Sequence, residues 1–151
     1  MRYLLDSDTL SDLYEQHSPG HPKVAARLAA LADLDEVCVS ILTLYEYEYG
    51  HAHAPAALQS VIRERIEDLQ RNFALLPLTA AAARLYGQLK EALTRARGLG
   101  KRAGKAHNID LMIAAAAIEE GCILVSADSL YSELEELVID LKVADWLTDE
   151  A

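Results

Sequence analysis

Short apolar runs alternate with longer amphipathic stretches along this chain, and that alternation restricts its architecture more than any other feature. The apolar runs are Arg2–Asp6, Val37–Ser40, Ala74–Pro77, Ile123–Ser126 and Val138–Leu141. Each is short enough to be a strand and bounded by polar or turn-forming residues. Between them lie stretches with helical periodicity: Lys23–Leu34, Leu42 to about His53, Ala56–Phe73, Thr79–Leu99, a run opening at Asn108, and Ser129–Leu137. Ile62, Ile66, Leu69 and Phe73 recur at spacings of 4, 3 and 4 and define one helix face. Strands that alternate with helices of this length predict an α/β fold with a parallel sheet and right-handed crossovers.

The punctuation between elements follows the same scheme. Ser7 or Asp8 is expected to cap a short helix to Tyr14, and His17 to Pro22 reads as a turn. Gly98 and Gly100 are expected to end the long helix Thr79–Leu99. Asn108 is expected to cap the next one, which is apolar nearly all round and therefore belongs in the interior. Gly121 closes it, and Trp146 is expected to pack the tail against the body.

At 151 residues the chain suits one domain, residues 1–151. A chain of that size buries roughly 68–70% of its unfolded surface, so a core forms without disulfides or a structural metal. Cys38 and Cys122 lie in or beside apolar strands and read as buried free thiols. No run is long and apolar enough for a membrane span, and the N-terminus turns acidic too early for a signal peptide. A cytoplasmic location is the expectation. The net charge of -10 opposes general attraction to nucleic acid. The charge is uneven, however. Thr94 to His107 holds Arg95, Arg97, Lys101, Arg102 and Lys105 with no acid, whereas Asn108 to Ala151 holds eleven acids and one lysine. That basic stretch is either a solvated loop or a rim that grips phosphates.

Four acids fall where such a fold would gather them. Asp6 ends the first strand, Glu46 lies early in the helix after the second, Asp110 opens the apolar helix, and Asp128 follows the fourth strand. Strand C-termini and helix N-termini share one sheet edge, where ligands bind. Two like charges 4 Å apart repel by about 4 kcal/mol at an effective dielectric near 20. A hard divalent cation relieves that repulsion, and carboxylate-held Mg²⁺ or Mn²⁺ is suited to phosphodiester hydrolysis. Each acid also has a simpler role available. Asp6 could serve a strand-end turn, Glu46 a capping box with Thr43, Asp110 the helix dipole, and Asp128 the cap of the helix at Ser129. All four simple roles would have to hold together to dismiss the set.

The strings around these acids resemble the PIN-domain ribonucleases, and within them the VapC-like toxins of type II toxin–antitoxin pairs. Tyr3-Leu-Leu-Asp6-Ser-Asp8-Thr9-Leu is similar to that family's first strand and acid. Ser40-Ile-Leu-Thr43-Leu-Tyr-Glu46-Tyr-Glu-Tyr-Gly50 resembles its second-acid helix, and Asn108-Ile-Asp110-Leu-Met-Ile-Ala-Ala its third. Leu124-Val-Ser126-Ala-Asp128 matches the fourth, and Val143-Ala-Asp-Trp146-Leu the ending. Ser7-Asp8 stands where Thr-Asn is usual, Ser126 where Thr is common, and Leu130-Tyr131 where a Phe is usual.

The resemblance implies a three-layer α/β/α sandwich around a parallel, roughly five-stranded sheet. It implies a metal-dependent endoribonuclease with Mg²⁺ or Mn²⁺, a small antitoxin partner and a homodimer. On this reading Asp6, Asp110 and Asp128 hold the metal, with Glu46 and Asp8 as further ligand candidates. Glu46 positions or deprotonates the attacking water, Ser126 and Asn108 support the site, and the basic stretch contacts RNA. A catalytically idle PIN fold that only binds partners is the main alternative. A haloacid-dehalogenase-type phosphatase would use Asp6-Ser-Asp8-Thr9, but needs Thr or Val where Leu10 stands. A receiver-type signalling module would need a lysine that Lys142 supplies poorly. His51 and His53, two apart on a helix, diverge and do not suit zinc.

Overall fold

The computed structural model describes residues 1–98 and 106–148. In chain order the elements are β1 (Arg2–Leu5), α1 (Ser7–Tyr14), α2 (His21–Ala29), β2 (Glu36–Ser40), α3 (Ile41–His53), α4 (Ala56–Asn72), β3 (Ala74–Leu76), α5 (Ala80–Arg97), α6 (Asn108–Glu119), β4 (Ile123–Val125), α7 (Ser129–Leu137) and β5 (Lys142–Ala144). The five strands form one parallel sheet in the order β3-β2-β1-β4-β5.

Alternate strand residues face opposite sides, which splits the core in two. Leu4, Cys38 and Leu124 pack with α5, α6 and α7 through Leu89, Leu111, Ala115 and Leu134. Leu5, Val39 and Val125 face the other way, onto Leu10, Val24 and Leu69 of α1, α2 and α4. The result is the three-layer α/β/α sandwich that the alternation and the resemblance predict. In α6, Ala114, Ala115 and Ala117 are fully buried, so short side chains let this helix sit close to its neighbours. Trp146 is buried and its ring lies 5.6 Å from that of Tyr3, so the tail is anchored as expected. Cys38 and Cys122 are free and buried. Among the described residues no helix is long and apolar enough to cross a membrane.

Several boundaries differ from the sequence reading. The fifth strand is Lys142–Ala144, not Val138–Leu141, because its register to β4 pairs Ile123 with Lys142 and Val125 with Ala144. Val138 instead closes α7, and Ile139 is exposed. The second helix starts at His21 with Pro22 in its first turn, where a missing N–H costs nothing, and stops at Ala29. Asp6, not Ser7 or Asp8, caps α1: its Oδ1 accepts from the Thr9 amide at 2.7 Å. Ser40 caps α3, which puts Glu46 in the second turn and leaves no capping box with Thr43. Asn108 does not cap α6 either. His107 holds the cap position, while the Asn108 Oδ1 accepts from Lys90 at 2.9 Å and from the Tyr86 hydroxyl at 3.0 Å. Gly98 does end α5, in the left-handed conformation at φ 63°.

Candidate active site

The strand order places a topological switch between β1 and β4, where the chain leaves one side of the sheet for the other. Open parallel sheets bind ligands beyond the strand C-termini at such a point. Asp6 directly follows β1, and Ser126 and Asp128 follow β4. The two strands are tied at that edge by the Asp6 amide, which donates to the Val125 carbonyl at 3.1 Å, and by the Thr9 hydroxyl, which donates to the same carbonyl at 3.1 Å.

A cavity of about 130 Å³ opens there, lined by Asp6, Asp8, Glu46, Asp110, Asp128 and Tyr131, together with Ser7 and Ile113. The four principal acids and Asp8 thus converge from four segments of the chain. Asp6 is buried, with Oδ1 spent on the Thr9 amide and Oδ2 accepting from the Ser126 hydroxyl. The same Ser126 oxygen accepts from the Asp128 amide at 3.0 Å, so one serine links two of the acids. Asp128 caps α7 through Oδ1, which accepts from the Leu130 amide at 2.9 Å. Ser7, beside Asp6, exchanges a 3.0 Å hydroxyl bond with Thr43 of α3 and so couples the first-acid helix to the helix carrying Glu46. Capping roles and convergence therefore coexist: Asp6 and Asp128 do both.

Burial and mutual repulsion raise three of these carboxyls above their ordinary values. Burial lifts Asp6 against the opposing hydrogen bonds from Ser126 and Thr9, with Asp8 adding to the rise. Partial burial raises Glu46, and Asp110, Asp8 and Asp6 raise it further. Asp110 is lifted by burial and then by Asp128, while Tyr131 and His107 pull it down. Burial also drives the Tyr131 phenol up, as do Asp110, Asp6 and Asp128. Burial is the largest cause in each case, and the neighbouring acids add to it.

The donor set consists of carboxylate and hydroxyl oxygens, which suits Mg²⁺ or Mn²⁺ rather than a soft metal. Among the described residues no three His, Cys, Asp or Glu side chains are arranged to hold an ion as they stand. Mg²⁺ retains several waters and takes one or two carboxylates directly, so the acids fit it with water in between.

The remaining sequence candidates are placed less centrally. Asn108 faces α5, outside the cavity wall. Arg95 pairs with Glu91 along its own helix at 2.6 Å. Arg97 is gripped by Glu133 of α7 at 2.6 and 3.0 Å. Lys101, Arg102 and Lys105 lie outside the described residues. Tyr131 and His107 were not foreseen as parts of the site. Tyr131 reads as one more apolar residue in the stripe Leu130, Tyr131, Leu134, yet it follows Asp128 by three residues and so shares its helix face.

A parallel α/β/α sandwich with an acid cluster at its switch point presents carboxylate oxygens of the kind that hard cations take. The PIN domain family model matches residues 3–137, and the chain belongs to that family. No curated protein matches it significantly. Among solved structures it is similar to FitAcB from Neisseria gonorrhoeae, with a TM-score of 0.76 and 23% identity over 99% of this chain and 100% of the other. It is also similar to VapBC2 from Rickettsia felis bound to a promoter DNA fragment, with a TM-score of 0.75 and 21% identity over 97% and 99%. VapBC-1 from nontypeable Haemophilus influenzae gives 0.73 and 22% over 97% and 98%. These likenesses establish a shared fold across the whole chain.

Proposed function

We propose that this chain is a divalent-metal-dependent endoribonuclease and the toxin of a toxin–antitoxin pair. The observation that carries the reading is the convergence of Asp6, Glu46, Asp110 and Asp128 on one small cavity at the sheet's switch point in a PIN domain. Asp6, Asp110 and Asp128 would hold the ion, directly or through water, with Asp8 at the rim. When bound, the ion lowers the pKa of a coordinated water and stabilises charge on the scissile phosphate. Glu46 supplies the base. Its raised pKa brings its carboxylate closer to the operating pH, where proton transfer is most effective. Ser126 holds the Asp6 carboxylate in place. The basic stretch from Arg95 to Lys105 supplies the positive edge that an acidic protein needs to hold RNA.

The toxin assignment is supported by solved relatives that are named as VapBC and toxin–antitoxin complexes. It brings with it a small antitoxin protein as partner, a homodimeric state and a cytoplasmic location. A PIN fold that binds partners without cutting is the second reading, favoured by the net charge of -10, which opposes attraction to RNA. One experiment separates the two. Total cellular RNA is incubated with the wild-type protein and with Asp110→Asn, in Mg²⁺, Mn²⁺ or EDTA, and new ends are mapped. Discrete cleavage that requires the metal and Asp110 is expected. Cutting that persists in EDTA or in Asp110→Asn overturns the metal-site assignment, and an intact RNA pool in every arm leaves the binding module.

A further inference from the structure

Asp110 is flanked on both sides by polar groups that no acid of the cavity supplies. The Tyr131 hydroxyl, nearly sealed from solvent in α7, donates to its Oδ1 at 3.4 Å. The His107 Nδ1, at the cap position of α6, lies 3.8 Å from its Oδ2. His107 is itself fixed. The Arg97 Nη1 lies 3.2 Å from the His107 Nε2. A guanidinium can only donate, so Nε2 must accept and the proton of the neutral ring sits on Nδ1, the atom that faces Asp110. Arg97 is in turn clamped by both oxygens of Glu133 at 2.6 to 3.2 Å. A chain of polar contacts therefore runs from Glu133 through Arg97 and His107 to Asp110, and Tyr131 closes it from the helix that carries Glu133. Among the described residues Asp110 has no backbone cap of the kind that fixes Asp6 and Asp128, and Tyr131 and His107 are the side chains that flank its carboxylate.

We propose that Tyr131 and His107 are positioning residues that hold the Asp110 carboxylate ready for the cation. Arg97 fixes the tautomer of His107. Arg97 thereby serves the acid cluster as well as the basic edge. This inference rests on the metal-site reading above and adds to it the groups that make the third acid a defined ligand. Groups that orient a metal-bound side chain commonly govern affinity by ten-fold or more.

The test measures binding of Mn²⁺ alone, by calorimetry and by the loss of the free-ion electron paramagnetic resonance signal. Wild type is compared with Asp110→Asn, Tyr131→Phe, His107→Ala and His107→Asn. Phenylalanine keeps the packed ring and removes only the hydroxyl, and asparagine keeps an N–H donor near the position of Nδ1. Circular dichroism and thermal melts establish that each variant is folded. The expected result is an affinity loss of about ten-fold in Tyr131→Phe and in His107→Ala, with most of the second loss recovered in His107→Asn. Affinity within two-fold of wild type in Tyr131→Phe and His107→Ala, while Asp110→Asn binds weakly, overturns the positioning role and leaves the metal site standing. His107→Asn as weak as His107→Ala overturns the donor role of His107. A wild-type protein that takes up no Mn²⁺ overturns the metal-site reading and this inference with it.

Discussion

At the scale of single residues, the acids of the cavity serve two purposes at once. Asp6 and Asp128 each spend one oxygen on a helix N-terminus, so either acid is anchored before any ligand arrives. Substituting Asp6→Asn or Asp110→Asn removes a negative charge and keeps the shape. RNA cleavage should be lost in both, while the metal-free protein melts no earlier than wild type, because a carboxyl held above its ordinary value is a repelled one. Between the ordinary Asp value of 3.8 and the raised native one, the folded state holds more protons than the unfolded. Stability from that group is therefore present at low pH and lost as pH climbs through the native value. In EDTA the melting-temperature advantage of Asp110→Asn over wild type should widen from pH 4 upward. An advantage that shrinks with rising pH would contradict the assigned direction. How legible these residues were depended on their neighbours. The four acids stood out because each follows an expected strand or opens an expected helix, and apolar sequence also flanks Asp6 and Asp110. Their hydrogen bonds did not, because a cap is decided by backbone angles: Asp6 took the role expected of Ser7 or Asp8, and His107 that expected of Asn108.

At the scale of elements, α6 shows what composition can reveal. Its apolar sequence marks it as interior, and it carries the third acid on its first turn. Ala115 is fully buried, so Ala115→Leu should destabilise the fold by about 1–3 kcal/mol through overpacking, read from urea unfolding midpoints. An unchanged midpoint would mean that a neighbouring helix gives way easily. The strands were harder to bound. β5 slipped by four residues from its expected position because Val138–Leu141 is as apolar as a strand, and only pairing with β4 selects Lys142–Ala144. The basic stretch meets its own acids: Arg95 holds Glu91 and Arg97 holds Glu133. Replacing Arg97, Lys101 and Arg102 by alanine should weaken RNA binding and flatten its salt dependence by up to about two units, at roughly 0.7 per phosphate contact. A slope equal to wild type would move the phosphate contact elsewhere, with Arg63, Arg65 and Arg71 of α4 as the next candidates.

At the scale of the whole molecule, the α/β class and the parallel sheet were legible in the alternation, whereas the strand order was not, and the site depends on which strands become neighbours. Binding of Mg²⁺ or Mn²⁺ to the folded state should raise the melting temperature by mass action, and Asp128→Ala should reduce that rise. A melting temperature that ignores millimolar metal in wild type would leave only a site completed by RNA. The order β3-β2-β1-β4-β5 has a further consequence for the life of the chain. The strand at the centre precedes the others in the chain, and its neighbour β4 is made only after β2, β3 and most of the helices. Asp6 therefore waits for Asp110 and Asp128, and on the proposed reading no nascent fragment that ends before β4 can cut anything. On that reading a ribosome handles an inert polypeptide until β4 and Asp128 have emerged, and cutting arises with the pairing of β4 to β1 rather than growing by degrees.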